Sequence, residues 1–516
     1  PGIFPVQADA PASARTGDGH DVAETELHPA AAMAVRTRPS VLYWTAAHAG
    51  GGPNPLVDGE SLHHPAEMGE SASQNRRPRA SRRAKAASQM NRDSTHALPR
   101  GIRLRLDDMA YNGAAVGRYH GKAVFVPGGI PGEEVLVDIV EDRRRYSLAR
   151  LVRVLVPSPE RVAPPCERFG LCGGCQWQHI AYNAQLRYKQ KIVRDQLERL
   201  GGIPDPPVKP VIGMADPWGY RNNMQFVVDE EGRLCLLAMG TNRPVPIGQC
   251  RLLCPELAEV AAELEVEFPG LERVVLRAGR HTGERMIVLE ATARDLPELE
   301  MDRSLSCVLL RPDGTGVALV GSTHYHEELG GRRLRVSAGS FFQVNTEQAE
   351  QLVRLVREYA GAEPAAADSE AGRAEGAWRR PIILDAYGGV GTFGLALAPA
   401  AEHVYIVESN PDAAADARAN AAEVPNVTVI EGNVEEVLAE LEEAFDIAVV
   451  DPPRAGVAPK ALSALIAGRP DRIIYVSCDP GSLARDVHAL VGHGYRLKVV
   501  QPVDLFPHTH HVETVS

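Results

Sequence analysis

The sequence predicts an α/β chain: a doubly wound α/β domain at its C-terminal end, a small closed β-barrel near residue 100, and a mixed region between them. Two patterns carry this. From Pro381 apolar strands alternate with helical stretches, the pattern of a sheet covered on both faces. From Gly101 to about Ser158 short runs of alternating polarity are broken by Gly and Pro, as in a five-stranded barrel.

Residues 1–98 are rich in Ala, Pro, Gly, Ser and His without sustained periodicity, and they end in a basic stretch from Arg76 to Lys85. Such a segment buries too little apolar surface to offset its ordering entropy, so disorder is expected. Met90 is a natural start, and the residues before it are expected to be a tail or an over-extended reading frame.

The barrel is placed at 99–158. Its strands are Ile102–Leu106, Ala123–Val126 and Val135–Ile139, with others between. OB-like barrels of this size often bind single-stranded nucleic acid. The chain carries a net charge of −12, which does not by itself suggest such a ligand. Between Pro99 and Arg161, however, 11 Lys+Arg stand against 8 Asp+Glu, a local +3, and local patches decide binding.

The central region, 159–340, opens on clustered cysteines and an amphipathic helix from Tyr182 to about Leu200. Of eight cysteines, Cys166, Cys172 and Cys175 lie together and Cys250 and Cys254 form a second group. Cys166-x5-Cys172-x2-Cys175 plus Cys250 supplies four thiolates, with Gly173-Gly174 freeing the loop to wrap one centre. Zinc and an iron–sulfur cluster both fit that spacing. The last domain spans 341–516, with a linker-like insertion at 361–378. No run of about 18 apolar residues suggests a membrane span, and no secretory signal is evident. A monomeric cytoplasmic protein without membrane contact is expected.

In the α/β domain the chemistry gathers at strand ends. Asp385-Ala386-Tyr387-Gly388-Gly389-Val390-Gly391 follows the first strand and differs from the dinucleotide G-x-G-x-x-G. Glu408 ends the next strand, where a carboxylate can accept both hydroxyls of a ribose. Together they suit a nucleoside ligand without a pyrophosphate, such as S-adenosylmethionine. Asp451-Pro452-Pro453-Arg454 ends another strand at the same edge, where ligands collect in open α/β sheets. Cys478 follows the fourth strand, and Glu513 lies in a polar tail beyond it. A thiolate and a carboxylate base form a nucleophilic pair.

These residues resemble the RNA uridine C5-methyltransferases that carry an N-terminal TRAM barrel and a [4Fe-4S] cluster. The likeness runs from about Gly101 to Glu513. Gly113–Gly121 and Val124–Glu133 resemble the TRAM pattern, and Cys166–Cys175 resembles the cluster loop. The resemblance implies a Rossmann-like S-adenosylmethionine methyltransferase domain, an OB-like TRAM barrel and a mixed central domain. It implies Cys478 as nucleophile and Glu513 as base. Gln343, Tyr387, Glu408 and Asp451 would contact S-adenosylmethionine, and Cys166, Cys172, Cys175 and Cys250 would hold the cluster, with Cys254 a competitor for the fourth place. Gly388 replaces a common cysteine, and Asp479 and Gly481 replace the usual Asn and Ala.

The implied function is uridine C5 methylation in RNA through a Cys478–C6 adduct, with 23S rRNA the expected substrate. The tRNA T-loop uridine is the alternative within the class. An RNA N-methyltransferase using Asp451-Pro452-Pro453, or a non-catalytic RNA-binding scaffold, would be alternatives of other kinds.

Overall fold

A computed structural model of the chain describes residues 33–36, 98–266, 270–292, 298–300, 304–362, 379–441 and 443–516. Almost all of the segment expected to be disordered, and nearly all of the 361–378 insertion, lie outside the described residues. The short piece Met33–Arg36 is a strand between Leu264–Val266 and Glu298–Glu300. Its apolar Met33-Ala34-Val35 is too brief to stand out from its low-complexity surroundings.

Five strands, Ile102–Met109, Ala115–Tyr119, Lys122–Val126, Glu134–Asp142 and Tyr146–Val156, close into the expected barrel. Ile102, Leu104 and Leu106 alternate inward and meet Val124, Val126, Val135 and Val137. Each fully buried side chain of this kind contributes about 1.5–3 kcal/mol before entropy is counted. The first two strands are joined by a turn at Tyr111-Asn112-Gly113, where Gly113 has φ +80°. At the base of the barrel the buried Glu133 carboxylate accepts from both Nε and Nη2 of Arg161, at 2.6 and 2.8 Å.

The central region builds a seven-stranded sheet that includes Asn223–Val228, Leu271–Ala278 and Arg285–Ala291. Helix Tyr182–Arg199 matches the expected bounds closely. Its buried face carries a polar anchor. The Lys189 ammonium donates to Asp504 and to the Phe506 carbonyl, and Asp504 also accepts from the Tyr182 hydroxyl at 2.8 Å. Both members of that ion pair are fully buried.

The C-terminal domain is a seven-stranded sheet. Numbered along the chain from Ile382–Ala386, its strands run in the order 3-2-1-4-5-7-6. The first five are parallel, and Glu513–Val515 is antiparallel to both neighbours, Arg472–Ser477 and Gln501–Val503. The order reverses between strands 1 and 4, which opens a crevice at their carboxyl ends.

Four strands were expected here and seven are present. Val427–Glu431 is an edge strand with no fully buried residue, so its pattern is weak. Gln501–Val503 and Glu513–Val515 are three residues each and flank a stretch of Pro, His and Thr that has the composition of a loop. Glu513 is therefore not in a polar tail. It is a buried strand residue paired with Val503.

Candidate active site

The crevice is built from the ends of four strands. After Ile382–Ala386 the chain turns through Tyr387, which has φ +64°, a conformation costly for a residue with a Cβ. The Gly389 N–H donates to a Glu408 carboxylate oxygen at 2.9 Å, and the Asn410 N–H donates to the other at 2.6 Å. These two bonds orient the Glu408 carboxylate and leave half of its roughly four acceptor sites free. A side chain at Gly388 would place its Cβ 2.5 Å from an Ile406 methyl and 3.1 Å from Asp385. The glycine that departs from the family pattern is thus matched to a filled space.

Asp385 lies beneath this loop, fully buried, and one of its oxygens accepts from the Gly394 N–H at 2.7 Å. Its other oxygen has no partner. Burial pushes the Asp385 carboxyl up to about 7, against the Gly394 hydrogen bond and assisted by the Glu408 charge. Asp451 ends the neighbouring strand Ile447–Val450. It too is pushed up to about 7, by its depth in the crevice and then by Asp385.

Gln343 lies in the loop before helix Thr346–Ala360. That loop is pinned by Arg277, whose guanidinium donates to the Ser337 and Ser340 carbonyls, and by Asn222, whose amide donates to the Gln343 carbonyl at 3.0 Å. Asn345 caps the helix by accepting from the Gln348 N–H. The Gln343 backbone is thus fixed from two sides.

Cys478 follows strand Arg472–Ser477 and is half-buried. Helix Pro480–Gly492 begins directly after it, with Asp479 as cap accepting from the Ser482 N–H at 2.7 Å. Burial, then Glu513 and Asp451, push the Cys478 thiol up to about 12, while Arg454 pulls it down. Glu513 is raised well above the usual carboxylate range by burial and by Asp451, again opposed by Arg454. The thiol, the two carboxylates and the guanidinium therefore act on one another across one site.

The stretch leading to Glu513 is interior as well. His508 has φ +65° and stacks on Trp218 with ring centroids 3.7 Å apart. Its carbonyl accepts from the Gln176 and Trp177 N–H groups, and its own N–H donates to Gln185. Burial lowers His508 and His510 to about 4 and His511 to about 3, so all three are neutral near pH 7. Sequence reasoning missed this layer because a His-Thr-His-His run has the composition of solvated chain.

A second gathering of sulfur lies in the central region. Cys166, Cys172, Cys175 and Cys250 line one cavity of about 480 Å³, together with Arg168, Arg221 and Phe341. Cys175 is pushed up to about 12 by burial, with the other three thiols adding to the rise against a hydrogen bond from Gln178. Cys172 and Cys250 shift upward for the same first reason. Cys254 is elsewhere: it caps helix Pro255–Glu263 and is fully buried among Leu257, Val260 and their apolar neighbours. Among the described residues, no three His, Cys, Asp or Glu side chains converge on a point that could hold a single metal ion.

An appended barrel, this sheet order and a strand-end crevice holding a thiol and carboxylates fit an RNA-directed methyltransferase. Comparison with known proteins agrees. Residues 373–515 match the tRNA (Uracil-5-)-methyltransferase family and residues 102–152 match the TRAM domain. An uncharacterized RNA methyltransferase of Halalkalibacterium halodurans is 37% identical over 80% of this chain and 96% of its own length. One from Gloeobacter violaceus is 36% identical over 77% and 91%. Among solved structures, the Pyrococcus abyssi tRNA (uracil-54, C5)-methyltransferase in complex with S-adenosyl-L-homocysteine superimposes with a TM-score of 0.59 at 28% identity. That match covers 80% of this chain and 99% of the other. The chain belongs to the RNA uridine C5-methyltransferase family.

Proposed function

We propose that the protein methylates C5 of a uridine in RNA through a covalent Cys478–C6 adduct. The observation that carries this reading is the juxtaposition of Cys478 and Glu513, which the fold brings to one site although 34 residues separate them. C5 of uracil is a weak nucleophile. When the Cys478 sulfur bonds to C6, the C5–C6 double bond is broken and its electrons pass to an enolate, so C5 can attack a methyl group. S-adenosylmethionine, which Gln343, Tyr387, Glu408 and Asp451 would hold, would supply that methyl group from its sulfonium, whose sulfur would keep the electron pair of the broken S–CH3 bond and leave as S-adenosylhomocysteine. Glu513 then takes the proton from C5, the double bond re-forms, and the sulfur leaves C6 with the electron pair of its bond.

Burial favours a neutral Cys478 thiol and a neutral Glu513, whereas the reaction needs a thiolate and a carboxylate. Arg454 opposes both shifts, and a sulfonium charge bound beside them would act in the same sense. A stacked uridine cannot reach Cys478, so the base must leave its stack.

The four cysteines of the central cavity are assigned to a [4Fe-4S] cluster. Each cysteine of such a cluster binds its own iron, so the sulfurs need not converge on one point. Thiolates gathered in one buried cavity would repel one another and so suit a cationic guest, and the methyl transfer needs no electron, so the role is structural or RNA-positioning. The combination of cluster and barrel favours 23S rRNA. The likeness to the Pyrococcus abyssi tRNA enzyme supports tRNA as the second reading.

The test is mass spectrometry of the protein mixed with S-adenosylmethionine and RNA carrying 5-fluorouridine. Fluorine cannot leave as a proton does, so a methylated adduct on Cys478 is expected, and sequencing the attached RNA names the substrate. Methylation of ordinary RNA without any adduct would reject the C5 mechanism.

A further inference from the structure

The first turn of the barrel reaches the loop that carries Cys478. The Tyr111 hydroxyl donates to the second carboxylate oxygen of Asp479, the residue after Cys478. The first oxygen of Asp479 is already engaged as cap of the following helix. The Tyr111 ring also packs over Gly481, where an added Cβ would sit 3.8 Å from it. Asp479 and Gly481 are the two positions after the nucleophile at which the motif departs from its family pattern, and Tyr111 touches both.

The next two residues of the turn continue the contact. A Cβ on Gly113 would lie 2.6 Å from the Cβ of His510, so only glycine permits this approach, quite apart from its φ of +80°. The Gly113 carbonyl accepts from the Trp177 indole at 2.9 Å, and Trp177 is itself bonded to His508. Between turn and sheet lies a crevice of about 200 Å³, walled by Tyr111, Asn112, Arg454, Cys478, Asp479 and His510. That volume is sufficient for one flat pyrimidine ring.

We propose that the Tyr111-Asn112-Gly113 turn belongs to the uracil site: Tyr111 is a positioning residue that holds the Cys478 loop through Asp479, and the turn is one wall of the nucleobase crevice. The inference rests on Cys478 being the nucleophile. Burial and the Asp479 carboxylate push the Tyr111 phenol well above its usual range, which keeps it a donor at every working pH. RNA bound on the barrel would then bear directly on the loop that attacks the base.

The test uses the full chain, labelled S-adenosylmethionine and in vitro transcripts of 23S rRNA and tRNA under single-turnover conditions. Tyr111→Phe removes one hydroxyl from a ring that is 40% exposed, so the fold survives. It is expected to slow methyl transfer about tenfold, in line with the cost of a small misplacement, while RNA affinity stays within about twofold. Asp479→Ala should slow transfer as well. The double variant should be no slower than Asp479→Ala alone, because the two act as one unit. Gly113→Ala, which pushes the turn off His510, should also be slow at unchanged RNA affinity.

A Tyr111→Phe enzyme at full speed, additive losses in the double variant, or a loss of RNA affinity that accounts for the whole effect would each overturn the proposal. Cys478→Ala is run beside them. If that variant still methylates, or if wild type methylates neither transcript, the reading of the site is what fails; if Cys478→Ala is dead and Tyr111→Phe is normal, only the inference fails.

Discussion

The thiol of Cys478 and that of Cys175 are both pushed up to about 12, and burial is the first cause of each. Their neighbours differ. Around Cys478 stand Glu513, Asp451 and Asp479, with Arg454 the opposing charge. Around Cys175 stand three more thiols, with Arg168 and Arg221 on the same cavity wall. A raised thiol therefore says little about its role until its surroundings are named. The first setting suits a sulfur that ionises briefly when a cation and a substrate arrive. The second suits sulfurs held permanently ionised by a bound centre.

The contrast is sharpest in Cys478→Ala. Methyl transfer should fall by at least about 10³-fold, as for loss of any nucleophile, with iron and acid-labile sulfide unchanged. Labelled methyl incorporation and iron assay on anaerobically purified protein check both halves, and a variant with more than a tenth of wild-type rate would break the comparison. Glu513→Gln should cost about 10²–10⁴ in turnover. Adduct formation should persist, so ordinary RNA is expected to accumulate on Cys478 in denaturing gels.

In the other setting the expected loss is of metal. Cys250→Ala should retain less than about a tenth of the wild-type iron, whereas Cys254→Ala, at a buried residue outside the cysteine-lined cavity, should keep it and lose only about 1 kcal/mol of stability. Equal iron in both would place the fourth ligand elsewhere. The smallest effect is a shift in pH profile. Asp451 raises both Cys478 and Glu513, so Asp451→Asn lets each lose its proton at lower pH. The acid limb of the single-turnover profile should then move to lower pH, whatever the height of its plateau; a limb that stays in place would show that Asp451 does not act on the pair.

Much of this was legible in the sequence. Barrel, helix Tyr182–Arg199 and four of the five parallel strands showed themselves by periodicity, and the strand-end motifs placed Glu408, Asp451 and Cys478 at one edge. What stayed hidden was contact across long separations. Cys250 and Cys254 look alike in the sequence, and only the packing of helix Pro255–Glu263 turns one inward. Glu513 looked solvated because His508, His510 and His511 precede it, and nothing local announces that Gln185, Trp177 and Trp218 enclose His508. The bond from Tyr111 to Asp479 spans 368 residues, and no pattern within either segment implies it.

Such contacts have a consequence for how the molecule assembles. The Lys189–Asp504 bond joins residues 315 apart and the Gln185–His508 bond residues 323 apart. Closing loops of that size costs little more free energy than closing shorter ones, since the entropy grows only with the logarithm of length. It costs time, because non-local contacts form late and domains dock after they fold. Those two contacts tie the segment leading to Glu513 onto helix Tyr182–Arg199, while the strand of Glu513 itself pairs with Arg472–Ser477 and Gln501–Val503, so this end of the chain is set only when a local sheet and a distant helix are both in place.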